Sequence, residues 1–129
     1  MNNHERLYAV RGAVCCDNTR ESVAERVVTL YREILGRNSI EEEHIVSVLF
    51  SVTDDLTVLN PATALRQAGL ALSAPLFACA EPVIEGYLPR VIRIIITYYG
   101  AQAPVPVYLH GAEALRPDLC SAPAGIRPI

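Results

Sequence analysis

Apolar and polar positions divide the chain into one sharply two-faced helix and several strands that are apolar for most of their length. Leu7 to Cys15 (LYAVRGAVC) alternates loosely in β-prone residues and predicts a first strand, with Arg11 inside it and Gly12 next. Asn18 followed by Glu21 has the spacing of a capping box, so a helix is expected to start there. Val23, Val27, Leu30, Tyr31 and Ile34 then recur at helical spacing, with Arg20, Glu21, Arg26 and Arg32 mostly opposite, and Gly36 is expected to close the helix. A short turn at Ser39 to Glu42 precedes a second strand, His44 to Val52, which ends in the polar joint Thr53-Asp54-Asp55. Asn60-Pro61 is a helix start, because asparagine accepts from free N–H groups and proline suits the first helical position. That short helix runs from Pro61 to Gln67 and stops at Gly69.

Two further apolar runs, Ala74 to Ala80 and Val91 to Tyr98, predict buried third and fourth strands, with Pro82 interrupting regular pairing and a turn or short helix at Val83 to Leu88. Pro104 and Pro106 mark a loop before a fifth, short strand at Val107 to Leu109, and a last helical turn is expected at Glu113 to Leu119. The order β-α-β-α-β-β-β implies an α+β fold with a mixed five-stranded sheet and helices on one face. The predicted domain covers residues 1–120, and 121–129 (SAPAGIRPI without its preceding cysteine) reads as a flexible C-terminal tail.

With 129 residues the chain holds one domain. Its 51% hydrophobic and 19% charged content is high in apolar surface for this size, and such surplus often enters an oligomer interface. No apolar run approaches the ~20 residues of a membrane span and the N-terminus has no signal-peptide pattern, so a cytoplasmic protein with no membrane partner is expected. A net charge of -3 argues against non-specific nucleic-acid binding. All 11 basic residues are arginine, the side chain best shaped to fork onto carboxylates or phosphates. Cys15, Cys16, Cys79 and Cys120 lack paired metal-ligand spacing and the histidines are scattered, so reduced structural thiols and no metal are expected.

Two charges stand out against their surroundings: Glu81 at the end of the third strand and Arg93 inside the fourth. Charged groups are rarely buried without a partner, so the two suggest either a structural ion pair or a polar, anion-binding pocket. The chain carries no nucleophile elbow, phosphate-binding loop, dinucleotide fingerprint or metal-spaced histidine set. Cys79 beside Glu81 has no histidine in a local signature and reads as a buried, inert thiol. Arg11, Arg93 and Arg66, with Glu81, would suit a small dianion whose carboxylates need bidentate donors, and Tyr108 adds a hydroxyl.

Five segments in order resemble the monofunctional, trimeric chorismate mutases of the AroH type. They are V-R-G-A (Val10 to Ala13), D-x-x-x-x-N-P-A-x-A-x-R (Asp55 to Arg66), P-x-x-x-C-x-E (Pro75 to Glu81), the V-I-R strand ending at Arg93, and V-Y-L followed by A-L-R-P-D-L (Val107 to Leu119). Asn60, Thr63 and Ala78 depart from residues common in that family, Ala78 standing where many members have cysteine. The resemblance implies a homotrimer forming a pseudo-α/β barrel, with active sites between subunits, that rearranges chorismate to prephenate without a cofactor. It also implies that Arg11 binds a substrate carboxylate with help from Tyr108, that Arg93 faces the breaking ether bond, and that Glu81 accepts a hydrogen bond from the ring hydroxyl. Phe77, Ala78, Cys79, Ala80 and Glu81 would line the pocket, with Arg66, Leu115 and Arg116 at its edge. The rivals are a non-catalytic trimeric dicarboxylate-binding or regulatory homologue, a mutase for a chorismate analogue such as the 4-amino form, and a structural domain in which Glu81 and Arg93 merely pair.

Overall fold

A computed structural model of the chain describes residues 5–119; the expected tail at 121–129, Cys120 and the boundary at residue 120 lie outside them. The elements are β1 (Arg6–Cys15), α1 (Arg20–Asn38), a 3₁₀ turn (Glu42–His44), β2 (Ile45–Val52), α2 (Pro61–Gln67), β3 (Leu76–Ala80), β4 (Val91–Gly100) and β5 (Val107–Leu109), then 3₁₀ turns at Ala112–Leu115 and Pro117–Leu119. The strands form one mixed sheet in the order β3-β2-β4-β1-β5. Strand β4 lies antiparallel between β1 and β2, while β3 and β5 run parallel to β2 and β1 at the two edges. The α+β fold with a five-stranded mixed sheet is therefore as expected.

The core sits between one sheet face and the two helices. Strand alternation sends Val10 and Val14, Val48 and Phe50, and Ile92, Ile94 and Ile96 to that face. There they meet Val23, Val27, Leu30, Tyr31 and Ile34 of α1, the five positions picked out by helical spacing, and Ala64 and Leu65 of α2. Each large side chain removed from water here stabilises the fold by about 1.5–3 kcal/mol. The helices thus cover one face only, and the other is left open. No helix among the described residues is long and apolar enough to cross a membrane.

Both ends of α1 differ from expectation. Thr19, not Asn18, is the N-cap: its hydroxyl accepts from the Ser22 N–H at 3.1 Å. Asn18 is drawn away by Thr57, accepting from its N–H at 3.0 Å and donating to its hydroxyl at 3.1 Å. Gly36 stays within the helix, and Ser39 takes the left-handed turn (φ 52°) while the Ile40 N–H closes onto Leu35 O at 2.9 Å. Asn38 decides the difference, because its amide clamps the backbone of Val105 in both directions, at 2.6 and 3.0 Å, and rewards the extra turn.

The stretch expected to form a buried third strand is exposed. Only Leu76–Ala80 pairs, along one side of β2, and Phe77, Cys79 and Ala80 face solvent. An apolar run without alternation fits an edge strand as well as a central one, and pairing settles which it is. Residues Val83 to Leu88 form a turn with no helix, and Cys79 is an exposed free thiol rather than a buried one.

Candidate active site

The open face of the sheet is organised by one cross-strand row. Cys79 pairs with Ser51, Ser51 with Arg93, Arg93 with Ala13, and Ala13 with Tyr108, so five adjacent strands each present one residue of the row. In the next row Phe77, Leu49, Ile95 and Arg11 are neighbours in the same way. Because strand side chains repeat every two residues and strands lie about 4.8 Å apart, this register places Arg11 and Arg93 diagonally across β1 and β4 on one surface. Between them opens a groove of about 240 Å³, lined by Arg11, Gly12, Leu49, Phe50, Ser51, Cys79, Arg93, Ile94, Ile95 and Tyr108. Its floor is mainly apolar strand, and its charges are two guanidinium groups. A low-dielectric floor strengthens the attraction of those charges for an anion.

Glu81 and Arg93 are joined directly, Arg93 Nε to Glu81 Oε2 at 3.2 Å, and the other Glu81 oxygen accepts from the Ser51 hydroxyl at 2.5 Å. Of the two readings offered for these charges, the ion pair is formed and a groove lies beside it, lined by Arg93 and Ser51 and not by Glu81. The bridge does not fill it. Its contact uses Nε, and the Arg93 side chain remains 44% exposed, so the end of the guanidinium still faces the groove. Glu81 and Ser51 thereby orient Arg93, a role for Ser51 that the sequence motifs do not mark. Its signal is alternation along β2, which puts Ser47, Leu49 and Ser51 on the open face, and the register then sets Ser51 opposite Arg93.

Arg11 is exposed and has no ion-pair or hydrogen-bond partner among the described residues. Tyr108 lines the groove, and Arg116 forks onto Asp118 at 2.9 and 2.7 Å. That fork raises the Arg116 pKa, mainly through its hydrogen bond to Asp118, and the same bond lowers the Asp118 carboxyl. Leu115 packs with Tyr108 against Ala13, Val91 and Ala112, walling one end of the face.

The remaining expected site residues lie apart from this groove. Ala78 and Ala80 belong, with Asn60, Pro61 and Leu59, to a second hollow of about 310 Å³ at the β3 edge, and Cys79 borders both. Phe77 is exposed beside Leu49 on the open face. Asn60 is the α2 cap, its side-chain oxygen accepting from the Ala62 N–H at 2.8 Å. Arg66 lines neither hollow: its guanidinium donates to the carbonyls of Ala71 and Ala74, the latter at 2.7 Å, and so ties the loop after α2. One possible metal-ligating group occurs among the described residues, Glu41, Glu43 and His44 on the exposed turn before β2, and none of the three lines the groove.

Fold and site together define an α+β protein that presents two guanidinium groups in a groove on an open sheet face. Residues 7–119 match the family model of chorismate mutase type I. The chain is 38% identical over 119 residues to chorismate mutase AroH of Thermus thermophilus, covering 88% of this chain and 96% of that protein. It is 32% identical over 120 residues to chorismate mutase AroH of Bacillus subtilis, covering 88% and 92%. Among solved structures it is similar to a chorismate mutase from Clostridium thermocellum, with a TM-score of 0.79 and 32% identity over 83% of this chain and 98% of that one. The chain belongs to the type I chorismate mutase family.

Proposed function

We propose that this protein rearranges chorismate to prephenate on the open sheet face, with Arg93 and Arg11 as the groups that hold and activate the substrate. The observation that carries this reading is the convergence of Arg11, Arg93 and Tyr108 on one apolar groove. In the concerted [3,3] shift the ether C–O bond breaks while a C–C bond forms, and no proton moves. Two tasks follow for the protein. It must hold a flexible side chain folded over the ring, an orientation effect, and it must meet the negative charge growing on the ether oxygen. Arginine serves the second at any working pH, and Glu81 with Ser51 preorganises Arg93 for it.

Arg11 and Tyr108 then bind a substrate carboxylate, and Glu81 accepts from the ring hydroxyl as the ligand settles against its pair with Arg93. Arg116, Leu115 and the segment Phe77 to Glu81 complete the pocket. A homotrimer fits the surface that a single chain leaves open. The edge strand β3 has one unpaired side, and Leu7, Leu49 and Phe77 expose apolar area on the site-bearing face. Apposed subunits would bury that area and bring the hollow beside Asn60 against a neighbour's groove, supplying Arg66 and Ala78 to a shared site. Free thiols at Cys15, Cys16 and Cys79 suit a cytoplasmic, reducing setting.

Incubating the purified chain with chorismate and following loss of its absorbance tests the activity, and light scattering of the eluting protein tests the trimer. Tight prephenate binding without turnover would instead establish the non-catalytic homologue.

A further inference from the structure

A third hollow, of about 330 Å³, lies beyond the groove where β1 ends and β4 begins. One step along the open face, the row Arg93–Ala13 gives way to Val91–Cys15, and the hollow shares no lining residue with the groove. Its walls include Arg26 from α1, Arg90 from the loop before β4, His110 from the turn after β5, and Asp17, Cys15 and Leu88.

Three features point to a ligand. Neither the Arg26 nor the Arg90 guanidinium has an ion-pair or hydrogen-bond partner among the described residues. Arg90 and His110 both adopt left-handed backbone, φ 55° and 52°, which side-chain-bearing residues avoid. The surrounding structure enforces this at Arg90: its N–H is held by both Asp55 oxygens at 3.0 and 3.1 Å, and its carbonyl accepts from the Cys16 N–H at 3.0 Å. Strain held in place at Arg90 is a mark of functional positions, and Arg90 and His110 line the same hollow. Asp17 is the one carboxylate lining the hollow; nearby Asp55 is engaged by Thr53 and the Arg90 backbone, and Glu113 accepts from the Gly111 N–H at 2.7 Å. The lining thus carries an excess of positive charge, and arginine is the side chain suited to oxyanions.

We propose that this hollow is a second oxyanion site, which takes a phosphate or carboxylate group on Arg26 and Arg90 with the His110 imidazole beside them. It stands independently of the reaction proposed above. The small apolar cluster of Ala13, Val91 and Ala112 lies between the two, with Cys15 and Leu88 of the hollow and Tyr108 of the groove packed against it.

The test is a titration of the full chain with inorganic phosphate at constant ionic strength, followed by amide chemical shifts, with malonate as a parallel arm to distinguish phosphate from carboxylate. Saturable shifts are expected at Arg90, His110 and Gly111, in the wild type and in Arg93→Ala alike. Arg26→Gln, and Arg90→Asn, which tolerates the left-handed backbone, should each weaken binding about tenfold or more. No saturable shift with either anion would overturn the proposal. So would binding that survives both substitutions, or binding that Arg93→Ala abolishes, since the anion would then occupy the groove.

Discussion

Replacing Arg93 by alanine separates chemistry from folding, because the structure assigns the side chain little of the latter. Arg93 is 44% exposed, and its one ionic contact among the described residues is to Glu81 at 3.2 Å. Partly exposed pairs of this kind contribute about 0–1 kcal/mol to stability. Glu81 is not stranded by the change, since the Ser51 hydroxyl continues to donate to it at 2.5 Å. The unfolding midpoint should therefore move little. Turnover should respond quite differently. A preorganised donor facing charge that develops in the transition state is worth on the order of 3–4 kcal/mol, which corresponds to a loss of roughly 10²–10³-fold in kcat. Chorismate absorbance gives the rate, and urea unfolding of the same preparation gives the stability. Turnover within about tenfold of the wild type, in a variant that folds normally, would refute the role of Arg93 in meeting the ether oxygen.

Two further predictions concern the scaffold. At Gly12 a Cβ would stand 2.7 Å from Ile34 Cδ1 and 2.8 Å from the Val107 carbonyl, which is backbone and cannot turn aside. Gly12→Ala should cost about 1–3 kcal/mol, read from the urea midpoint at unchanged slope, and a cost near zero would contradict the close β1–β5 approach. Burial, with smaller contributions from Cys15 and Asp17, raises the Cys16 thiol from 9.0 to about 11, so the folded protein holds this proton more tightly than the unfolded chain. Its share of stability is complete below pH 9 and is lost as pH rises toward 11, amounting to roughly 2–3 kcal/mol. Burial and the hydrogen bond to Glu42 also raise Tyr31, which extends the loss to higher pH. Urea midpoints measured from pH 8 to 11 should fall, and Cys16→Ala should flatten the decline; an equal fall in that variant would remove Cys16 as its cause.

The elements were legible in the sequence wherever a local cause suffices. The 3.6-residue spacing of Val23, Val27, Leu30, Tyr31 and Ile34 specifies the buried stripe of α1, and Asn60-Pro61 starts α2 where expected because cap and first turn are neighbours in the chain. Motifs that resemble one family also singled out Arg11, Glu81, Arg93 and Tyr108, and the fold brings Arg11, Arg93 and Tyr108 to one groove with Glu81 paired to Arg93. What the sequence could not show is what depends on pairing between distant segments. Asn18 is a good cap by composition, yet Thr57, 39 residues away, takes its amide and leaves the role to Thr19. Arg66 carries no local sign that its guanidinium donates to the carbonyls of Ala71 and Ala74, which the loop after α2 brings back to it. The run from Ala74 to Ala80 is apolar enough for a sheet centre, and only the strand order puts it at the edge. Ser51 meets Glu81 solely because β2 lies between β3 and β4. Periodicity and capping are written in near neighbours, so the chain alone determines them. Which faces meet, which charges touch and which groove stays open depend on registers between residues far apart in sequence, and only the tertiary structure decides those.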